Sequence, residues 1–455
     1  MALKSQRPEY LKSGEVARIF PVLATTSKEG RTTSIVLACL RLIEPLAREM
    51  LGSIGVRVGA RSEIETYTEI CFHGVETKDR PDGLIIHRNG RSEWRALIET
   101  KVGNAELQDD QVERYRKIAK DQKIDAVITI SNAFTAAPGN HPLESVRRSR
   151  NTVPVYHWSW MAILTSVDML LGNEEVADRE QRILLNELLR FLTHDSAGVR
   201  GFDRMPPEWA TLGKSIREGG QVRPSGADTL SVVAAWHQET RDLALILSRL
   251  TGRTVQERLS RSVQKDPGSR RKDDAQNFAS TCQLSCSLIV PDTAGDLRVI
   301  MDFRTRTISA GMGINAPGDK KSNKARLNWL LRQLSKLEKP EQIIIRAIWP
   351  GRSAPTQVSL DKLREKPELI EEGKGDQTLN SFVVLMVKEC GGRFVQLSNV
   401  IEDLEQIVPD FYHLVGQNLS AWQSPAPRAR EPRADIDDVT VDTLADEAEE
   451  RIDQI

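Results

Sequence analysis

A chain of 455 residues exceeds one ordinary domain and implies two or three, each large enough to bury its own core. Hydrophobic content of 39% and charged content of 28% are those of a globular protein, and 63 Lys+Arg against 64 Asp+Glu leave a net charge of -1. A globally basic coat for nucleic acid is thereby excluded, so any such surface must come from local clusters.

In the N-terminal half, helical and extended patterns alternate. Apolar residues at helical spacing (Val36, Leu37, Leu40, Ile43, Leu46, Met50) predict a helix over Thr33 to Leu51, with Pro45 as a kink or restart. Strands are expected at Ile64 to Phe72 and Gly83 to His87, and Asn89-Gly90 marks a hairpin turn before a third strand, Trp94 to Ile98, that runs on into Glu99. A polar helix, Glu106 to Asp121, leads to a buried-strand pattern at Asp125 to Ser131. A last strand follows at Val153 to Trp158, with Ser159 placed to cap the next helix. Another amphipathic helix covers Asp178 to Leu192.

Prolines and glycines between Pro206-Pro207 and Pro224-Ser-Gly read as an interdomain connection. Beyond it come a helix (Leu230 to Leu250), a polar basic stretch (Arg258 to Asp274), strands near 282–290, 297–303 and 306–313, and a helix from Ala325 to Leu337. Strands at Ile343 to Trp349 and Phe382 to Lys388 and a helix at Asn399 to Leu414 complete an α+β pattern without internal repeats. The expected division is therefore 1–200, a linker at 201–228, a second domain at 229–422 and a tail at 423–455. That tail, acidic and free of aromatics, reads as disordered or as a surface for a protein partner.

Five scattered cysteines (Cys39, Cys71, Cys282, Cys286, Cys390) argue against a disulfide framework. No apolar run reaches membrane-spanning length, and the opening Met-Ala-Leu-Lys-Ser-Gln-Arg-Pro has no signal-peptide core. The expectation is a cytoplasmic protein with no membrane partner. A homodimer is left open.

The chemistry-bearing pattern is Arg80-Pro-Asp82-Gly followed by Glu99-Thr-Lys101. Alternation along a strand puts Glu99 and Lys101 on one face and Thr100 on the other, and pairing of the two strands brings Asp82 to them. Two carboxylates and an ammonium at one sheet edge suit a divalent metal and an activated water, the chemistry of phosphodiester hydrolysis. Gln111 and Tyr115, at i and i+4, share a face of the following helix.

Residues Ser34 to Trp160, with Pro81-Asp82, Glu99-Thr-Lys101 and Gln111-Val-Glu-Arg-Tyr115, resemble the PD-(D/E)xK nuclease superfamily; the last motif is similar to that of its recombination-exonuclease branch. The resemblance implies a restriction-endonuclease-like mixed α/β sheet flanked by helices, followed here by an α+β second domain. It also implies a Mg²⁺- or Mn²⁺-dependent nuclease acting on nucleic acid, DNA first, with a role in defence or repair by analogy. Asp82 and Glu99 would ligate metal, Lys101 would orient the attacking water or offset phosphate charge, and Gln111 and Tyr115 would position substrate. Such folds often add an acid from the first helix. Glu44, interrupting an apolar run, is the candidate here; Glu49 lies on another face, and Glu63, Glu65 and Glu69 compete from the first strand. A nuclease-fold binding module, silent or partner-dependent, and an RNA-directed enzyme are the alternatives.

Other motifs have plainer readings. His73, His87, His141 and His157 lack the spacing of a zinc-hydrolase set, and Tyr156-His-Trp-Ser-Trp160 reads as core packing. Basic clusters at Arg147-Arg148 with Arg150, at Arg270-Arg271-Lys272, and at Lys320-Lys321 with Lys324 and Arg326 offer a backbone-binding track; a solvated surface explains each separately as well. Gly311-Met-Gly313 with Gly318-Asp-Lys-Lys-Ser322 lacks the spacing of a phosphate loop.

Overall fold

The turn expected at Asn89-Gly90 closes a hairpin. Strands β3 (Gly83–Asn89) and β4 (Ser92–Thr100) pair antiparallel from Asn89↔Ser92 to Gly83↔Ile98, and Gly90 takes the positive φ of 61° that the two-residue loop requires. The computed structural model describes residues 8–20, 28–73, 80–135, 137–261, 263 and 267–423, so the tail from Ser424 and the opening seven residues lie outside it. Around the hairpin, β2 (Ser62–Phe72) pairs with β3 and an unexpected β1 (Leu11–Val16) with β2, all antiparallel. On the far side of β4, β5 (Ala126–Ser131) and β6 (Val155–Ser159) add in parallel, giving a six-stranded mixed sheet in the order β1-β2-β3-β4-β5-β6.

The continuous apolar runs of β3 to β5 reflect burial on both faces. One face carries Ile85, Ala96, Ile98, Ile128 and Ile130 against α1 (Lys28–Leu42), α2 (Glu44–Gly52), α5 (Trp160–Gly172) and α6 (Arg179–Leu192). The other carries Leu84, Ile86, Leu97 and Val127 against α3 (Asp109–Asp121) and α4 (Glu144–Arg148). Ser159 caps α5 as expected, its Oγ accepting from the Ala162 N–H. The single helix expected over Thr33 to Leu51 is two: the chain extends at Ile43 and restarts with Pro45 in the first turn of α2, where its missing N–H costs nothing.

A second, seven-stranded antiparallel sheet runs β12-β11-β13-β10-β9-β8-β7, built from β7 (Gln256–Glu257), β8 (Gln283–Ile289), β9 (Leu297–Asp302), β10 (Thr307–Asn315), β11 (Ile343–Ile348), β12 (Thr356–Ser359) and β13 (Ser381–Glu389). Among the described residues five α-helices accompany it, α7 (Pro207–Arg217), α8 (Ala227–Thr251), α9 (Pro267–Thr281), α10 (Asn323–Gln333) and α11 (Leu360–Glu365), and a last one follows, α12 (Asn399–Leu414). Two expectations change here. The 201–228 connection contains α7, whose fully buried Trp209 packs on Phe303 and Phe394 and donates its indole N–H to the Phe394 carbonyl at 2.6 Å. Pro206-Pro207 is thus a helix start rather than a linker. The basic stretch ending at Asp274 overlaps α9, whose Ala275 and Phe278 are buried.

Gly311 sits mid-strand in β10, where a Cβ would lie 2.9 Å from the Val384 carbonyl, so that glycine serves strand packing and not phosphate. The five cysteines are all free, and no described helix is long and apolar enough to cross a membrane. The two sheets meet through α5 and α8: Gln238 exchanges two hydrogen bonds with the Phe134 backbone, at 2.7 and 3.1 Å, and Arg249 donates to Thr165 at 2.7 Å.

Candidate active site

The register of the hairpin assembles the site. Gly83 faces Ile98, so Asp82 stands opposite Glu99 where β4 meets its next turn. Only glycine suits position 83, because a Cβ would stand 2.9 Å from the Tyr67 carbonyl and closer still to Leu37. Alternation then sorts the end of β4. Glu99 falls on the α3 face with Leu97, and Thr100 on the α1 face with Ile98.

Thr100 anchors Asp82, donating both its backbone N–H and its hydroxyl to Oδ2 at 2.7 and 2.8 Å. The Thr33 and Thr100 hydroxyls lie 2.7 Å apart, and each has a second acceptor, the Glu29 carbonyl at 2.8 Å for Thr33 and Asp82 for Thr100, so the contact links α1 to the carboxylate with either hydroxyl as donor. Lys101 Nζ lies 2.5 Å from Glu99 Oε1 and 3.3 Å from Glu29 Oε1. Its backbone is clamped on both sides: the N–H reaches Ile130 at 2.8 Å, and its carbonyl accepts the Trp160 indole N–H at 2.7 Å. Trp158 and Trp160 are buried in the core, as expected, and Trp160 also fixes the Lys101 main chain.

From α3, Gln111 donates to the Tyr115 hydroxyl at 3.1 Å, and that hydroxyl donates to the Arg80 carbonyl at 3.0 Å. The helix thereby ties the Arg80-Pro-Asp82 approach to the Glu99 side of the site. Burial, then the charge of Glu99, pushes the Tyr115 phenol well up, so it stays protonated and able to donate.

The helix acid that meets Lys101 is Glu29, and Glu44 does not approach it. Glu44 is exposed at the start of α2, paired with Arg48 one turn on, and its N–H is capped by Gln181 at 3.0 Å. The restart at Pro45 resets the helical phase, so the count from Thr33 does not carry across Ile43. Glu29 is in the first turn of α1, four residues before Thr33, and faces Lys101. Glu29 lies one turn ahead of the apolar periodicity of α1, so that periodicity does not point to it. Glu49 is also exposed, Glu65 is held by Arg88 and the Tyr67 hydroxyl, and Glu69 pairs with Arg80.

Burial raises the Glu99 carboxyl to about 8, with the Asp82 charge adding to it and Lys101 opposing. Burial also raises Asp82, against the Thr100 hydrogen bonds, and Glu29, where the Asp82 charge adds. Burial disfavours the Lys101 ammonium, yet its bond to Glu99 outweighs this and its pKa rises. Three carboxylates against one ammonium leave an excess of two negative charges when all are ionised. Glu99 Oε2 is buried with no hydrogen-bond partner. Hard oxygen donors, an orphaned carboxylate oxygen and a deficit of positive charge fit a divalent cation. Among the described residues no group of three or more His, Cys, Asp or Glu side chains is placed to hold a metal ion; the Lys101 ammonium holds Glu99 Oε1.

No family model, curated protein or solved structure matches this chain.

His141 and His157 are structural. His141 Nδ1 accepts from the Leu143 N–H at 3.2 Å, so Nε2 carries the proton donated to Thr129 Oγ1 at 2.9 Å. Thr129 in turn donates to His157 Nδ1 at 2.8 Å, and His157 Nε2 donates to the Ala133 carbonyl at 2.9 Å. Every ring nitrogen is used in the neutral state, which leaves no lone pair for a metal. Burial lowers His141 to about 3 and His157 to about 4. His87 is bonded to Ser62 at 3.0 Å, and His73 is exposed.

The basic clusters are partly engaged. Arg147 donates to the His141 and Pro142 carbonyls, Arg148 pairs with Glu144, Arg270 with Glu257 and Asp274, and Arg326 donates to the Lys320 and Leu379 carbonyls. Arg150, Arg271, Lys272, Lys321 and Lys324 are exposed.

Proposed function

We propose that the first half of the chain is a metal-dependent nuclease of the restriction-endonuclease-like type, acting on DNA. The observation that carries the reading is the convergence of Asp82, Glu99, Lys101 and Glu29 at one sheet edge, with Glu99 Oε2 buried and unpartnered. Asp82, Glu99 and Glu29 would hold Mg²⁺ or Mn²⁺, which when bound lowers the pKa of a water ligand and stabilises charge on the phosphate. Thr33 and Thr100 keep the Asp82 carboxylate in one orientation. Lys101, held protonated, offers an ammonium to a phosphate oxygen or to the attacking water. Gln111 and Tyr115 brace the chain before Asp82 rather than reach outward.

Supporting the fold part of this proposal are the antiparallel β2-β3-β4 meander, the helix after it and the parallel β5, in the order the motif requires. Exposed Arg150, Arg271 and Lys272 are available to DNA phosphates. The test is a cleavage panel of linear, circular and single-stranded DNA and of RNA, with and without Mn²⁺, each with a Lys101→Ala control. DNA cutting that requires metal and is lost in Lys101→Ala supports the proposal; preferred cutting of RNA moves the substrate class and leaves the chemistry. One observation favours a second reading, a silent binding module: the ammonium of Lys101 closes over Glu99 Oε1. Salt-dependent DNA binding without cleavage under either metal would establish that reading instead.

A further inference from the structure

Away from the carboxylate site, a cavity of about 630 Å³ opens where the two halves meet, a size that accommodates a small organic molecule. The first half contributes Phe134, Pro138 and Trp158 to its wall; the second contributes Arg241 and Leu245 from α8 and Arg270 from α9. The wall mixes apolar and polar side chains, with the carboxylates of Glu49 and Glu257 as well as Arg241 and Arg270 on it, so a ligand would be fixed by one polar end and an apolar body.

Arg241 is the unusual member. Its side chain is mostly buried at 13% exposure, yet among the described residues its one ionic contact is a 3.7 Å approach to Glu257. That carboxylate is shared: Arg270 takes Oε1, and the Thr240 hydroxyl lies 3.3 Å from Oε2 with the His237 carbonyl as its other acceptor at 3.2 Å. Arg270 is shared with Asp274, which also accepts from His237 at 2.7 Å. The neighbouring charges thus satisfy one another, and the Arg241 guanidinium faces the cavity with no hydrogen bond to any described residue. A guanidinium offers five N–H donors in a planar fork matched to carboxylate or phosphate, and leaving them unused in a partly buried site is costly.

We propose that this cavity binds a small organic anion, an apolar or planar body between Phe134 and Leu245 with its carboxylate or phosphate on Arg241. Such a ligand bridges the halves beside the Gln238–Phe134 hydrogen bonds and would stiffen that joint. The same loop leads back to the active site, because Asn132 donates to the carbonyls of Gly103 and Gly198 at 3.0 and 2.9 Å, just past Lys101.

Calorimetric titration of the full chain in EDTA, which removes any contribution from a metal at Asp82, tests this independently of nuclease activity. The probes are adenosine 5′-monophosphate and 2-naphthoate, with adenosine and inorganic phosphate as the body and the anion alone. At least one anionic probe should bind one-to-one with Kd below about 1 mM, and Arg241→Gln should weaken it at least about tenfold by removing a charge-assisted pair. Leu245→Trp, which fills the cavity from α8, should abolish binding and decides the matter if Arg241→Gln does not fold. Binding by the phosphate probe alone or the carboxylate probe alone identifies the anionic group. Failure of both probes, adenosine binding as tightly as its monophosphate, or binding unchanged in a folded variant overturns the proposal.

Discussion

Replacing His157 with asparagine should destabilise the protein at neutral pH and much less at pH 5. In the folded chain His157 is neutral, with its pKa lowered to about 4 by burial, against about 6.5 in an unfolded chain. A depressed folded pKa means the unfolded state binds more protons below pH 6.5, so the contribution of the neutral ring is complete above that value and is lost as pH falls towards 4. At pH 5 the unfolded histidine is almost fully protonated and the folded one is not. Linkage then removes about 2 kcal/mol between pH 7.5 and 5. That figure is set by the unfolded pKa and holds for any folded value below 5; His141, lowered to about 3, loses about the same amount. Raised carboxyls such as Glu99 and Glu239 move the opposite way, so the total profile is not diagnostic. Their terms are common to parent and variant, however, and cancel in the difference. Urea unfolding of parent and His157→Asn at both pH values should show a stability gap that narrows by about 2 kcal/mol on acidification. A gap independent of pH would refute the neutral, fully bonded His141–Thr129–His157 chain.

Glu239, fully buried with both carboxyl oxygens unpartnered, is pushed well up by burial and by the Glu405 and Asp242 charges. Because a raised carboxyl pKa withdraws stability as pH rises above the unfolded value of about 4.5, Glu239→Gln should stabilise the protein more at pH 8 than at pH 5, by about 1–3 kcal/mol at the higher pH, read as a rise in Tm by differential scanning calorimetry. Gly83→Ala should cost about 1–3 kcal/mol in urea unfolding, since the Tyr67 carbonyl and Leu37 must both give way. Trp160→Phe removes the bond to the Lys101 carbonyl and leaves a small void where the indole was; a loss of about 2 kcal/mol in stability is expected, with reduced single-turnover cleavage. Glu29→Gln should weaken Mn²⁺ binding at least about tenfold while Glu44→Gln leaves it unchanged, and the reverse order in a Mn²⁺ titration would remove Glu29 from the site.

The parts of this molecule visible in its sequence are those with one dominant local cause. Ala96-Leu-Ile98 and Ala126 to Ile130 are continuous apolar runs because both faces of β4 and β5 are buried, and Asn89-Gly90 names its own turn. Asp82, Glu99 and Lys101 follow from hairpin register and alternation, and the structure brings these three together. What stayed hidden depends on distant partners. Thr33 and Thr100 look like ordinary residues of apolar runs until their hydroxyls meet across helix and strand. Glu29 precedes the apolar periodicity by a turn, so nothing in α1's own pattern points it at Lys101. Glu44, by contrast, carried a misleading signal, because an acid inside an apolar run was in fact the first residue of a new helix. In the second half, α9 is masked by its polar and basic residues, and α7 by the prolines and glycines at its ends.

The central claim is that Asp82 and Glu99 hold a catalytic divalent ion beside Lys101. Electron paramagnetic resonance of Mn²⁺ titrated into the parent chain, Asp82→Asn and Glu99→Gln, with single-turnover DNA cleavage on the same samples, tests it most directly. Saturable Mn²⁺ binding and cleavage are expected in the parent, both lost in each folded variant. Cleavage that persists in either folded variant, or Mn²⁺ bound as tightly without Asp82 as with it, would contradict it.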